Sequence, residues 1–353
     1  MFKILDLYIA RTLLGTITVT LSVLIGLSAL IKFVEQLRKL GEGDYDMVVA
    51  AIYVVLSLPR DLEQFFPMAT LLGGLIGMGL LASNSELVVM QASGLSRWNI
   101  IGSAMKSAVL MILFVMAIGE WVTPFSESKA KEIRTEAISG GSLFSSDQLV
   151  WAKDGDHFVS IGQVVSRESL REISIYDFND DLTLNSITYA QEGVFDGDGW
   201  WLEEVTTTQF TDEKVTREPT DRMRWDSGLT PDKLGIVAVK PEALSIQGLN
   251  DYIQYLDSND QDASRYELAL WRKILQPVSV GVMLLMALSF IFGPLRSVTM
   301  GARVIMGVLT GFGFFITNEV FGPLSLVYQL PPFLGALLPS AMFAAVAAFL
   351  LRK

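Results

Sequence analysis

The run TLLGTITVTLSVLIGLSALI, residues 12–31, carries no charged side chain. An α-helix needs about 20 predominantly apolar residues to cross a bilayer, so this run predicts a membrane span. Five later runs repeat the pattern, at residues 64–82, 100–122, 274–292, 304–321 and 333–351. The mean hydropathy of +0.42 is also high for a soluble domain. The sequence therefore predicts a polytopic α-helical membrane protein with six transmembrane helices.

Basic residues near the predicted spans indicate the orientation of the chain. Six crossings put both termini on one side, and most bases of the short loops share that side: Lys3, Arg11, Arg97, Arg296, Arg303, Arg352 and Lys353. Cytoplasmic loops carry an excess of Lys and Arg. We therefore expect both termini in the cytoplasm, and the large insert between the third and fourth spans on the opposite side.

That insert differs from its flanks in charge and in pattern. Residues 121–270 hold 28 acidic and 13 basic side chains. Short alternating stretches such as REISIYDF and GIVAVK are separated by turn clusters such as FDGDG. This pattern predicts an all-β sandwich, jelly roll or open barrel. Whether such a domain is an inert cap or passes a substrate along its surface stays open.

The predicted elements divide the chain into three parts. Helical stretches at 126–139, 245–258 and 263–275 connect the β insert to the spans. We therefore predict an N-terminal membrane half over residues 1–125, a β domain with helical tethers over 126–268, and a C-terminal membrane half over 269–353.

The stretch SNSELVVMQASGLSRW, residues 83–98, connects the second and third spans. Ser83 and Glu86 have the S-x-x-E spacing of a capping box. Gly94 stands where a left-handed residue closes a helix, with Leu95 placed to pack on Met90. The spacing predicts a short capped helix over residues 83–95, on the cytoplasmic side.

Sites for enzyme chemistry are not evident in the sequence. The chain has no cysteine, one histidine and no GxxxxGK[ST] stretch, which argues against a zinc site, a histidine-dependent triad or a nucleotide site. His157 is interpreted as an ordinary strand residue. The DGDG turn at 196–199 lacks the spaced ligands of a calcium loop and favours a tight hairpin.

Charged side chains near the extracytoplasmic ends of the spans support two interpretations. Lys32, Gln36 and Lys39 follow helical spacing at the end of the first span, and Lys131 and Arg134 follow the third. They either extend to the headgroup region, or form a basic collar for an anionic, phosphorylated amphiphile. Near the end of the fifth span, Asn318 and Glu319 are interpreted as interfacial rather than as the mouth of a polar cavity.

Longer stretches resemble a known family. SELVVMQASGLS after the second span, ALSFIFGPLRS after the fourth, and three spans on each side of a β insert resemble the lipopolysaccharide-export permeases of the LptF/LptG family. The resemblance covers essentially the whole chain. IKFVEQLRKLGEG, WVTPFSE and GPLRSVTMGARVI are more similar to the LptG type of subunit than to its LptF paralogue.

The resemblance implies a subunit of an ATP-driven exporter in the bacterial inner membrane. Such a permease pairs with the paralogous LptF and is driven by a dimer of the cytoplasmic ATPase LptB, which binds ATP and Mg, so this chain needs no cofactor. It extracts lipopolysaccharide from the outer leaflet and passes it through jelly-roll-like periplasmic domains, with LptC and LptA as partners. No nucleic acid is implied.

The resemblance also implies roles for particular residues. The headgroup would contact Lys32, Arg38, Lys39, Lys131 and Arg134. Phe65 and Phe66 would line the acyl-chain cavity. Coupling to the ATPase would involve Glu86, Leu87, Met90 and Gly94, with Leu87, Val88 and Met90 exposed to a groove on the partner. Lys131 stands where relatives are expected to carry Arg, so the charge is kept but bidentate phosphate geometry is not.

Two other classes of function fit the same spans and insert. A scaffold without transport activity would hold envelope-assembly partners, and a membrane-embedded enzyme would modify lipid. The enzyme lacks a nucleophile–base set in this sequence. A scaffold would show no stimulation of ATP hydrolysis by lipopolysaccharide in the assembled complex, whereas an exporter would.

Overall fold

The computed structural model describes residues 4–139, 150–231, 241–293 and 298–352, apart from 156, 167, 180, 182, 212 and 213. The helices of these ranges are α1 (Ile4–Leu37), α2 (Met47–Ser83), α3 (Glu86–Ala92), α4 (Arg97–Ala117), α5 (Thr123–Ser139), α6 (Ile246–Ser258), α7 (Ser264–Phe292), α8 (Met300–Val327) and α9 (Pro332–Arg352). A π-helical turn, Ile118–Val122, joins α4 to α5, and a 3-10 turn, Pro241–Ala243, precedes α6.

Within the described ranges, six helical stretches are long and apolar enough to cross a membrane: α1, α2, the α4–α5 run, α7, α8 and α9. Each contains one of the predicted runs, so the prediction of six spans is confirmed. The predicted boundaries at 125/126 and 268/269 lie inside α5 and α7. At both boundaries, therefore, one continuous helix belongs partly to the predicted membrane half and partly to the predicted insert.

Glycines allow α1 and α2 to pack closely. A Cβ atom on Gly73 would lie 2.5 Å from the Cα of Ile17, and one on Gly77 would lie 2.6 Å from Oγ1 of Thr16. Because these side chains are absent, the two backbones approach, and the Thr16 hydroxyl donates to the carbonyl of Gly73 at 2.8 Å. Small residues serve helix packing in this way where lipid removes the hydrophobic drive between helices.

The described part of the insert contains a six-stranded antiparallel sheet in sequential order. Its strands are β1 (Val150–Asp154), β2 (His157–Ser166), β3 (Ser169–Phe178), β4 (Leu184–Phe195), β5 (Trp200–Phe210) and β6 (Val215–Trp225). The inserted all-β character is thus confirmed. A jelly roll places strands distant in sequence side by side, whereas each described strand pairs with its sequence neighbours because short hairpins join them. The predicted strand GIVAVK lies outside the described residues.

The hairpin between β4 and β5 has the tight turn that the sequence predicts. The carboxylate of Asp196 accepts hydrogen bonds from the backbone N–H groups of Asp198 and Gly199, both at 3.0 Å. Gly197 lies between Asp196 and Asp198 with φ +100°, a conformation that glycine adopts without a Cβ penalty. These bonds lower the pKa of Asp196. His157, also as predicted, lies in a strand.

One face of the sheet is closed by α6. The indole N–H of the buried Trp200 donates to the carbonyl of Leu229 at 2.7 Å. On α6, the hydroxyl of Tyr255 donates to the carbonyl of Lys153 at 2.9 Å, and burial raises the pKa of Tyr255 to about 12. The phenol therefore stays a neutral donor, and α6 is fixed to the sheet by both packing and hydrogen bonding.

Candidate functional site

A cleft of about 540 Å³ lies where α1, α2, α7 and α8 meet. Charged and polar side chains line part of it: Lys32, Arg60, Asp61, Glu63, Gln64, Glu242, Arg265, Arg272, Lys273, Gln276, Ser279, Asn318 and Glu319. Apolar side chains line the rest: Pro67, Met68, Ala269, Phe314, Phe315 and Ala336. A space with both kinds of wall suits a molecule that has a charged group and a hydrocarbon part.

An ion pair between α1 and α2 lies at the edge of the cleft. The Nζ of Lys32 is 2.6 Å from Oδ1 of Asp61, whose other oxygen accepts from Ser28 at 2.9 Å. The carboxylate is 3% exposed and the lysine side chain 27% exposed. Asp61 is therefore satisfied by protein groups, while part of the Lys32 ammonium faces the cleft.

Lys273 on α7 is the centre of a buried polar cluster. Its Nζ donates to the backbone carbonyls of Gly119 and Leu244, at 2.7 and 2.6 Å. It also lies 3.6 Å from Oε1 of Glu63 on α2. The carbonyl of Gly119 belongs to the π-helical turn, where the regular i to i−4 ladder is interrupted. One ammonium group thus joins three separate segments of the chain to α7.

The segment that enters α6 is held to the bundle by two further groups. The Glu120 carboxylate accepts from the backbone N–H of Ile246 at 2.8 Å, which satisfies a free donor at the start of α6. Arg60 lies 3.3 Å from Glu127 and 3.9 Å from Glu242. Together with Lys273, these contacts define the tether clamp, which fixes the β domain's return segment beside the cleft.

The basic residues predicted on the first span do not share one helix face. Lys32 lines the cleft, but α1 ends at Leu37, so Arg38 and Lys39 lie beyond it. Their amides bond three residues back, to Glu35 and Gln36, which tightens the last turn and changes its register. The expected spacing of Lys39 with Lys32 is therefore wrong.

Lys131 and Arg134 are both half-buried on α5. The Arg134 guanidinium lies 5.2 Å from the ring centroid of Tyr53, a cation–π contact. The cleft is lined by other residues, so the structure does not bring this pair together with Lys32 there. Their proposed headgroup role stays a prediction.

The apolar wall of the cleft is formed by neighbours of the predicted phenylalanines. Phe66 is 1% exposed inside the helical core, and Phe65 packs against the same core. Met68 and Phe315 line the cleft instead. Residues two positions apart in an α-helix are separated by about 200° of rotation, so Phe66 and Met68 face opposite sides of α2. Asn318 and Glu319 lie in the cleft wall rather than merely at an interface.

The short helix α3 starts later than predicted. Ser83 is still in α2, where its hydroxyl donates to the carbonyl of Leu80, so the capping box with Glu86 is wrong. Ser85 precedes α3 in a left-handed conformation, with φ 62°. The end is as predicted: Gly94 has φ +95°, and the amide of Leu95 bonds the carbonyl of Met90 at 3.2 Å.

The faces of α3 also differ in part from the prediction. Leu87 is 5% exposed and Met90 packs against the bundle core, because α3 lies against α2. The exposed apolar side chains are Val88 and Val89. Glu86 accepts a hydrogen bond from the Tyr8 hydroxyl at 2.7 Å, which joins α3 to the start of α1.

Sequence reasoning missed most of the polar lining of the cleft. Asp61, Glu63, Arg272 and Lys273 interrupt or border apolar runs of span length. Ionisable residues inside membrane spans are costly and mark functional sites, which is the signal that would have found them. Their partners lie far away in the sequence, so the pairing itself could not be read from spacing.

A six-span bundle with a cleft of mixed polarity and a tethered β insert defines a multi-pass membrane protein whose cleft suits an amphiphilic molecule. A family model described as the lipopolysaccharide export system permease LptF/LptG matches residues 7–353. The chain belongs to this family, whose members are transporter subunits rather than catalytic enzymes.

Individual relatives agree with the family match. The lipopolysaccharide export system permease protein LptG of Escherichia coli (strain K12) is 52% identical over 355 residues, covering 100% of this chain and 99% of the relative. LptG of Haemophilus influenzae is 48% identical over 356 residues, with the same coverage. LptF of Escherichia coli (strain K12) is 26% identical over 159 residues, 44% of this chain and 43% of the relative.

Proposed function

We propose that this chain is the lipopolysaccharide-binding permease subunit of an inner-membrane exporter, in the LptG position. It pairs with an LptF-type paralogue, and a dimer of the cytoplasmic ATPase LptB supplies ATP hydrolysis, with ATP and Mg bound there. The termini face the cytoplasm and the β domain faces the periplasm, towards LptC and LptA. The chain extracts the lipid from the outer leaflet and passes it towards the outer membrane.

The observation that carries this proposal is the chemistry of the cleft. Lys32, Arg265 and Arg272 place positive charge in its wall, and Met68 and Phe315 add apolar surface. Lipopolysaccharide has phosphoryl groups and acyl chains, so cations and hydrocarbon contacts are both needed to bind it.

The short helix supports the proposed coupling to an ATPase. The short helix α3, which ends at the left-handed Gly94, exposes Val88 and Val89, 54% and 66% respectively. Two adjacent exposed valines on a rigid element suit a groove on a protein partner. The Tyr8–Glu86 hydrogen bond would transmit a displacement of α3 to α1, and α1 carries Lys32 at its other end.

A charge exchange at the edge of the cleft tests the headgroup role of Lys32. Lys32→Asp removes the ligand charge but also places an acid beside the buried Asp61. The matched variant Lys32→Asp/Asp61→Lys restores opposite charges across the pair while moving the ammonium to α2. We expect both variants to assemble with partner subunits and to extract lipopolysaccharide at least tenfold more slowly than wild type, in proteoliposomes.

The exchange separates binding from structural support. Recovery of full extraction in the double variant would show that Lys32 serves the ion pair alone, and would contradict the headgroup role.

Lipopolysaccharide should also stimulate ATP hydrolysis by the wild-type complex. A complex that assembles but shows no such stimulation would be a scaffold.

A further inference from the structure

Two arginines on α7 stand apart from the other cations of the cleft. Lys32, Arg60 and Lys273 each lie within ion-pair distance of a carboxylate. Among the described residues, neither Arg265 nor Arg272 has such a partner, although both line the cleft. No carboxylate of the described residues therefore forms an ion pair with either guanidinium, although acidic side chains line the same cleft.

Backbone groups of α8 hold Arg272 in place. Its guanidinium donates to the backbone carbonyl of Asn318, and the lack of a side chain at Gly322 gives the group room against α8. A carbonyl accepts a hydrogen bond without cancelling the charge. Nε of Arg272 is buried and has no hydrogen-bond partner among the described residues. A guanidinium that is held in position without a carboxylate within ion-pair distance suits an anion.

Arg265 extends the same wall of the cleft. It lies seven residues before Arg272, about two helical turns along the same face of α7. Arg265 is exposed and Arg272 is half-buried, so the pair runs from the surface into the cleft. Phe315 on α8 adds apolar surface to the lining of the same cleft. The cleft therefore offers both positive charge and hydrocarbon contacts.

We propose that Arg272, assisted by Arg265, binds a phosphoryl group of the amphiphilic substrate on the α7–α8 wall of the cleft. This site is separate from the Lys32–Asp61 edge on α1 and α2. The inference rests on the proposed function, because it assigns residues to the same cleft. Two phosphoryl groups bound on different walls would select a bisphosphorylated headgroup over a phospholipid that carries a single phosphate.

The test measures lipid binding by the purified complex of full-length chains in nanodiscs. The probes are lipopolysaccharide with both lipid A phosphates, the same lipid with those phosphates removed, and phosphatidylglycerol. The variants are Arg272→Met, which keeps side-chain length without charge, Arg272→Lys, which keeps charge without the planar fork, and Arg265→Met. Arg171→Met is the matched control, since Arg171 is an exposed arginine on β3 with only a surface carboxylate, Glu192, at 3.8 Å.

We expect Arg272→Met to weaken binding of phosphorylated lipopolysaccharide about tenfold or more, the loss typical of one charge-assisted contact. Arg272→Lys and Arg265→Met should give smaller losses, and Arg171→Met none. With the dephosphorylated lipid, Arg272→Met should bind as wild type does, because the contact is already absent. If Arg272→Met disturbs folding, the exposed Arg265→Met carries the same comparison.

Four results would overturn the proposal. Equal losses with phosphorylated and dephosphorylated lipid would show that Arg272 supports structure only. A loss with phosphatidylglycerol and none with lipopolysaccharide would assign the pair to bilayer lipid. A wild-type complex that binds no lipopolysaccharide would overturn the proposed function as well, whereas wild-type binding with unchanged variants would overturn this inference alone.

Discussion

Lys273 connects three segments of the chain that lie far from it in the sequence, and the apolar pattern of its own span does not indicate these contacts. Its ammonium satisfies the carbonyls of Gly119 and Leu244 and faces Glu63, with 7% of the side chain exposed. A buried carboxylate that loses its cation is left as an uncompensated charge. The residue therefore stabilises both the bundle and the start of the tether.

We predict that Lys273→Met lowers the free energy of unfolding by about 3–5 kcal/mol, because Glu63 is then buried without a cation. The double variant Glu63→Gln/Lys273→Met should recover part of that loss, since the buried charge is gone while the two carbonyls remain unsatisfied. Thermal unfolding of the detergent-purified chain measures both. An unchanged melting temperature in the single variant would contradict the role given to this pair.

The polar residues of the cleft show where sequence reasoning stops. Lys32 was identified because a charge at the end of an apolar run is visible locally. The pairing of Glu63 with Lys273 cannot be identified in this way. The two residues are brought together by packing between α2 and α7, and no periodicity relates positions so far apart. Phe66 is buried in the helical core and does not line this cleft, and an apolar residue gives no local sign of which side of its helix faces a cleft.

At the scale of elements, the sequence predicts that the helices exist, but it does not reliably predict the residues at which they begin and end. Long apolar runs fix the six spans, since no other structure satisfies the backbone of such runs inside a bilayer. The start of α3 was misplaced because α2 continues through Ser83, and S-x-x-E spacing alone does not show that a preceding helix has ended. The end of α3 was correct because Gly94 needs its left-handed conformation locally.

We predict that Val89→Asp weakens association with the ATPase about tenfold, because a charge would have to be buried in an apolar groove. The chain itself should fold normally, since Val89 is 66% exposed. Co-purification and ATP hydrolysis by the complex measure the effect. Val215→Asp, which changes a similarly exposed valine on β6, is the control and should associate as wild type does.

At the scale of the whole molecule, the β domain and the bundle meet at the tether clamp. Glu120, Lys273 and Arg60 all reach the short segment between the sheet and α6. Arg60 and Lys273 also line the cleft. A ligand that attracts these cations would therefore act on the same side chains that hold the β domain's return segment.

We predict that Glu120→Ala loosens the start of α6 without unfolding the sheet. Loss of a group that satisfies first-turn amides costs about 1 kcal/mol, which corresponds to roughly fivefold faster local opening. Hydrogen exchange should rise in α6 and stay unchanged in β3 and β4. The same substitution at Glu132, a half-exposed residue of α5 paired with Lys129, serves as control. Equal acceleration throughout the insert would contradict a local clamp.

The π-helical turn at Ile118–Val122 also determines how α5, which follows it, is rotated about its own axis. Each residue advances an α-helix by about 100°, so the one additional residue of a π turn rotates the remainder of the helix by about that angle. Glu127 meets Arg60, and Arg134 meets the Tyr53 ring, only in this phase. Removing one residue here would barely change the composition and hydropathy of the span, yet it would turn both side chains away from α2.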